Sequence, residues 1–167
     1  MVPGEGPVPA RGMIVGEAPG RQEVVVGRPF VGAAGRLLDS ALAALGVPRE
    51  DVYITNVIKD LPLDSLGKIR RPDAEEIQEW SATLEEEIRI VSPQAILLLG
   101  RTAVDHVYPV LEGIGFGEAW TVRTSINNPE TAINLYTAYH PAYILRDLGR
   151  YSRWINQLKP WADALQG

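Results

Sequence analysis

The sequence predicts an α/β fold: a three-layer α/β/α sandwich with a mainly parallel central sheet. Three observations carry that expectation. Short apolar segments alternate with amphipathic ones along the whole chain. The segment "QAILLLG" (94–100) is almost continuously apolar, as in a strand covered on both faces. Polar turns follow three predicted strands, at "GEAPG", "TN" and "HPAY", where the carboxyl edge of such a sheet would gather ligand-binding loops.

The elements follow in order. Residues 1–11, within "MVPGEGPVPARG", are rich in Pro and Gly, lack the apolar core of a secretory signal, and read as a flexible lead-in. Residues 12–16 form a short buried strand ending at Gly16. Residues 33–45 place Ala34, Leu37, Leu38, Ala41 and Leu45 on one helical stripe, with Gly46 as the stop. Residues 52–58, "VYITNVI", are rich in β-branched side chains and read as a strand. A basic loop leads to a helix over 73–91, opened by Asp73 and Glu76 as a variant capping box and striped by Ile77, Trp80, Leu84, Ile88 and Val91. After the 94–100 strand come a short helix past Gly100, strands at 119–123 and 132–139 joined across "SINNPE", and a closing helix carrying Trp154, Ile155, Leu158 and Trp161. No repeat or internal linker interrupts the 167 residues, so one domain is expected.

Composition narrows the chemistry. The chain has no cysteine, which excludes disulfides, thiolate nucleophiles and Cys-ligated metal. With only two histidines, His106 and His140, a zinc site is not expected. No apolar run approaches the length of a membrane span, and a cytoplasmic location is the default. The net charge of −5 does not advertise a nucleic-acid binder, but its distribution does not exclude one. Seven acids and no Lys or Arg lie within residues 73–87, whereas 59–71 and 140–159 carry cations in excess. An acidic face turned away from a mildly basic one fits, as does plain solvated surface charge.

Glu17 stands alone in the Gly/Pro turn after the first strand. It reads equally as a helix cap or as a carboxylate held at the mouth of the sheet; Gly16 admits a close approach and Pro19 stiffens the turn. No G-x-G-x-x-G or P-loop is present, which counts against a dinucleotide or phosphate site. His106, in a helical segment next to Asp105 with no companion motif, reads as a satisfied structural histidine. His140, ahead of Pro141 and the loop "AYILR", reads either as a structural histidine or as a site donor. Asn56 offers a donor and an acceptor for an amide-like edge, or simply ends a strand. Phe30 reads as core or as a stacking platform.

Together, "GEAPGRQEVVVGRPFVGAAGRLLDSAL", "DVYITNVIK" and "HPAYILR" resemble the uracil-DNA glycosylase superfamily, closest to its family 4, in order from about residue 12 to 155. The resemblance implies a monofunctional enzyme of base excision repair that flips deoxyuridine out of DNA, hydrolyses its N-glycosidic bond and leaves an abasic site. It implies catalytic roles for Glu17, acting on water and the cationic sugar, and for His140, donating to uracil O2. Gly16, Ala18, Glu23, Phe30 and Asn56 would bind the base. Tyr143, Ile144, Leu145 and Arg146 would meet DNA, with an apolar wedge entering the duplex.

The family also implies an iron–sulfur cluster on four cysteines, two of them ahead of the first motif. The other two match Asp60 and Trp80, so no cluster is expected here and Trp80 is expected to fill the space with apolar bulk. Three readings remain open on the sequence: a uracil glycosylase, a glycosylase for another deaminated base such as hypoxanthine, and a non-catalytic DNA-binding module. The expected partner is DNA holding such a base, with the chain acting as a monomer away from any membrane.

Overall fold

The computed structural model describes residues 1–107, 116–117, 119–124 and 131–167. Strands β1 (Gly12–Gly16), β2 (Tyr53–Asn56), β3 (Ala95–Leu99), β4 (Ala119–Thr124) and β5 (Thr131–Ala138) form one sheet in the order β2-β1-β3-β5-β4. All neighbours run parallel except the β4–β5 pair. Helices α1 (Arg21–Val26), α2 (Ala33–Ala44), α3 (Ala74–Val91), α4 (Arg101–Val107), α5 (Pro141–Leu145) and α6 (Tyr151–Ala164) complete the order. The expected connection "SINNPE" (125–130) lies outside the described residues.

The sheet's side-chain alternation builds the layers. Ile14, Leu97 and Leu99 face a core with Leu38 and Leu42 of α2, Ile144 of α5 and Trp154 and Trp161 of α6. Met13, Val15, Ile96 and Leu98 face the opposite core with Leu84, Ile88 and Val91 of α3 and Val104 of α4. β1 and β3 are buried at every position, which is why they read as unbroken apolar runs. Both α6 indoles are fully buried. Losing one would cost about 3–5 kcal/mol, against about 0–1 kcal/mol for an exposed ion pair such as Lys159–Asp163. Packing therefore holds α6 in place.

The capping box of α3 is real: Asp73 accepts from the Glu76 amide at 2.9 Å, and Glu76 accepts from the Asp73 amide at 3.0 Å. Two short helices, α1 and α5, had no apolar stripe to reveal them. The strand expected over 52–58 ends at Asn56, because the next two amides turn away to the carbonyls of Gly16 and Glu17.

The lead-in expected to be flexible is instead anchored. β2 is the sheet edge, and its free side needs partners. Glu5 supplies them, exchanging backbone hydrogen bonds with Ile54 at 2.9 and 2.8 Å. Val2 is 2% exposed and donates to the Lys59 carbonyl at 2.7 Å, and Ala10 donates to the Val91 carbonyl at 3.1 Å. Pro and Gly there serve a tight path along the edge.

Candidate active site

Strand register assembles the site. Gly16 sits opposite Asn56, and the Glu17 carbonyl receives the Ile58 amide, so the first two motifs meet directly. Leu99 sits opposite Ala138, and the Gly100 amide donates to the Ala138 carbonyl at 2.9 Å. That brings the α4 start and His140 to the same carboxyl edge. The result is a cleft of about 200 Å³ lined by Glu17, Ala18, Phe30, Asn56, Arg70 and His140, among others. A larger hollow of about 420 Å³ lies at the amino ends of β1 and β2, around Gly12 and Val52. It gathers none of the site residues, and ligand sites of parallel sheets form at the opposite edge.

Each side chain is held by a distinct local cause. One Glu17 carboxylate oxygen accepts from Thr102 Oγ1 at 2.5 Å. Thr102 is 4% exposed in the first turn of α4 and carried no sequence signal of its own. Asn56 is 3% exposed, and its Oδ1 is buried without a hydrogen-bond partner among the described residues. An orphaned acceptor of this kind is costly unless a ligand satisfies it.

His140 caps α5: its Nδ1 accepts from the Ala142 amide at 3.1 Å. That bond requires Nδ1 to be bare, so the neutral ring carries its proton on Nε2. Burial pulls the His140 pKa from 6.5 down to about 4, with the Glu23 charge acting the other way. The Phe30 ring lies against His140, with centroids 5.7 Å apart and planes 28° apart. Phe30 itself adopts φ 52°, a strained backbone for a bulky residue. Arg49 secures it, donating to the Phe30 carbonyl at 2.7 Å and the Pro29 carbonyl at 2.6 Å. Arg49 is a second residue the sequence did not disclose.

Glu23 lines the cleft, but its carboxylate is occupied as a staple. One oxygen accepts from Val31 and Gly32 amides at 2.8 and 2.6 Å, the other from the Gly20 amide at 3.1 Å. It thereby ties the Glu17 turn to the Phe30 loop. Gly16 is required by space: an added Cβ would stand 2.5 Å from Phe30 Cζ and 2.6 Å from Asn56 Oδ1. Gly16→Ala is expected to displace both groups and to lower the rate of base release by about a hundredfold, read by single-turnover kinetics beside a melting curve.

One expected DNA contact is corrected. Ile144 is fully buried in the α2–α6 core and cannot enter a duplex, because the inner side of α5 packs it there. Leu145 (40% exposed) and Leu148 (61%) are the apolar side chains on that rim, beside exposed Arg146. Tyr143 is 40% exposed and sits under the Arg150 guanidinium, 5.3 Å from its carbon to the ring centre.

Fold and cleft together define an α/β protein with a cleft of about 200 Å³ at the carboxyl edge of its parallel strands, lined by an acid, an amide and a histidine. The profile of the uracil DNA glycosylase superfamily matches residues 3–164. The type-4 uracil-DNA glycosylase of Archaeoglobus fulgidus is 38% identical over 147 residues, 86% of this chain and 71% of that protein. Its Pyrobaculum aerophilum counterpart is 40% identical, over 87% of this chain and 73% of that protein. A type-5 uracil-DNA glycosylase of Pyrobaculum aerophilum is 34% identical, over 89% of this chain and 69% of that protein. The chain belongs to the uracil DNA glycosylase superfamily.

An iron–sulfur cluster does not fit this chain. No residue supplies a thiolate anywhere in the sequence. Asp60 is exposed, and Trp80 packs as a half-buried indole against the core built on Met13, Val15 and Ile88. No group of three or more His, Cys, Asp or Glu suited to a metal occurs among the described residues.

Proposed function

We infer that this chain is a monofunctional uracil-DNA glycosylase that takes a flipped deoxyuridine into the cleft and releases uracil, leaving an abasic site. The observation that carries the reading is the buried, unpartnered Asn56 Oδ1 sharing one base-sized cleft with Glu17 and a neutral, Nε2-protonated His140. Uracil complements that set. Its N3–H donates to Asn56 Oδ1, its O4 accepts from Asn56 Nδ2, and its O2 accepts from His140 Nε2–H. Phe30 supplies the apolar wall for the ring.

The reaction follows from those contacts. The C1′–N1 bond breaks, its electron pair leaves with uracil, and His140 stabilises the anion through O2. The Glu17 carboxylate faces the developing cationic sugar and orients a water whose oxygen bonds to C1′. The water's proton passes to the carboxylate and then to solvent. Thr102 fixes one Glu17 oxygen and leaves the other for the water. Among the described residues no lysine lines the cleft, so none of them places an amine to form a Schiff base and cut the strand. Leu145 and Leu148 are the wedge that fills the duplex after flipping. Lys68, Arg71 and Arg146 are exposed cations for phosphates.

No described helix is long and apolar enough to cross a membrane. Action as a cytoplasmic monomer on DNA belongs to the same reading. Its test is a panel of duplex oligonucleotides bearing uracil, hypoxanthine or xanthine. Uracil is expected to be released fastest and without strand cleavage. Preferential hypoxanthine release would reassign the base, and DNA binding without any release would leave a binding module.

The histidine also sets a pH dependence. Its folded pKa lies below its unfolded value, so the neutral form favours the fold. That contribution is intact above pH 6.5 and is lost as pH falls toward about 4. A proton on Nδ1 would oppose the Ala142 amide and dislodge the ring. The single-turnover rate is therefore expected to hold across the ordinary histidine range and to fall only as pH nears about 4. A titration of the rate centred near pH 6.5 would contradict this.

A further inference from the structure

We propose that Lys59 and Glu87 are positioning residues that hold Asn56, through its backbone, where it reads the base. The proposal rests on the glycosylase reading of the cleft. The Asn56 Oδ1 has no hydrogen-bond partner among the described residues, so its place is inherited from its main chain. That main chain is gripped from below. Lys59 is 1% exposed, three residues past Asn56, and its Nζ donates to the Asn56 carbonyl at 2.5 Å. The same ammonium lies 2.6 Å from one Glu87 oxygen.

Glu87 reaches in from α3, the one inward-turned acid of a helix whose other acids face outward. Its second oxygen accepts from Tyr53 Oη and Thr55 Oγ1, both at 2.8 Å. One carboxylate thus grips the chain before Asn56, at Tyr53 and Thr55, and after it, at Lys59. Gly4 closes the network from outside, where a Cβ would collide with Glu87 and the Tyr53 hydroxyl. For stability alone such a site gains little, since a buried ion pair is commonly matched by apolar packing of the same volume. It does fix a unique backbone position beneath the orphaned amide. The effect is of the kind by which a small misplacement far from the reacting atoms slows an enzyme.

The test is a double-mutant cycle on the whole 167-residue chain. Lys59→Met and Glu87→Gln are introduced together, so that neither charge stays buried alone, in wild-type and Asn56→Ala backgrounds. The pair is expected to slow single-turnover uracil release by up to about a hundredfold, with DNA affinity unchanged. In the Asn56→Ala background it is expected to cause no further loss. Equal slowing in both backgrounds, or a wild-type rate in the pair, overturns the proposal. If the pair does not fold, Tyr53→Phe, which removes one hydroxyl, enters the same cycle under the same criteria. Should the wild-type chain release no uracil, the glycosylase reading fails separately. The network is then judged by the Asn56 side-chain amide resonances in a nitrogen-15 spectrum. Displaced resonances in the variant support positioning, and unmoved ones overturn it.

Discussion

His140→Ala is expected to lower the single-turnover rate of uracil release by about a hundred- to a thousandfold, with DNA affinity little changed. A large loss is expected because, on the proposed reading, the Nε2–H donor acts where charge develops on the departing base. His140 has a second task as the cap of α5 through Nδ1. The two tasks separate experimentally. His140→Asn keeps a good cap acceptor for the Ala142 amide but withdraws the donor from uracil O2. Its melting temperature should therefore recover toward wild type while its rate does not. Recovery of both would assign His140 a structural role only.

Glu17→Gln is expected to cost about a hundred- to ten-thousandfold in the same rate. The amide keeps the shape of the carboxylate and can still accept from the Thr102 hydroxyl, so the turn should stay in place. What is lost is the negative charge facing the sugar and the acceptor for the water's proton. Thr102→Val, which removes the bond that orients the carboxylate, should lose less. If Glu17→Gln released uracil at the wild-type rate, water activation would have to lie elsewhere in the cleft.

Much of this was legible in the chain because it depends on local pattern. Unbroken apolar runs such as 95–99 marked strands buried on both faces, and the polar turns after three of them marked the carboxyl edge. Asp73 and Glu76 announced the start of α3 within four residues of sequence. What escaped depends on distant partners. Thr102 lies 85 residues from the acid it orients, and nothing in "LGRTAVDH" marks it. Arg49 is separated from Phe30 by 19 residues, and its role appears only once the strained Phe30 backbone is in place.

Two errors have physical causes of their own. Ile144 sits in a polar-flanked loop motif and reads as an exposed wedge. A single turn of helix instead rotates it into the core and turns Leu145 outward. The lead-in reads as flexible because Pro and Gly suppress regular structure. Its role as a cover for the β2 edge depends on the strand order, which composition does not encode.

On the proposed function, the cleft accepts and releases uracil with no cluster in the protein. The most direct measurement incubates the purified, iron-free chain with a single-stranded oligonucleotide carrying one deoxyuridine. Free uracil and abasic sites are then counted by mass spectrometry. The prediction is equal amounts of both, with the strand intact until alkali is added, and loss of both in His140→Ala. An uncut, unaltered oligonucleotide under conditions where the chain is folded and bound to it would contradict the claim.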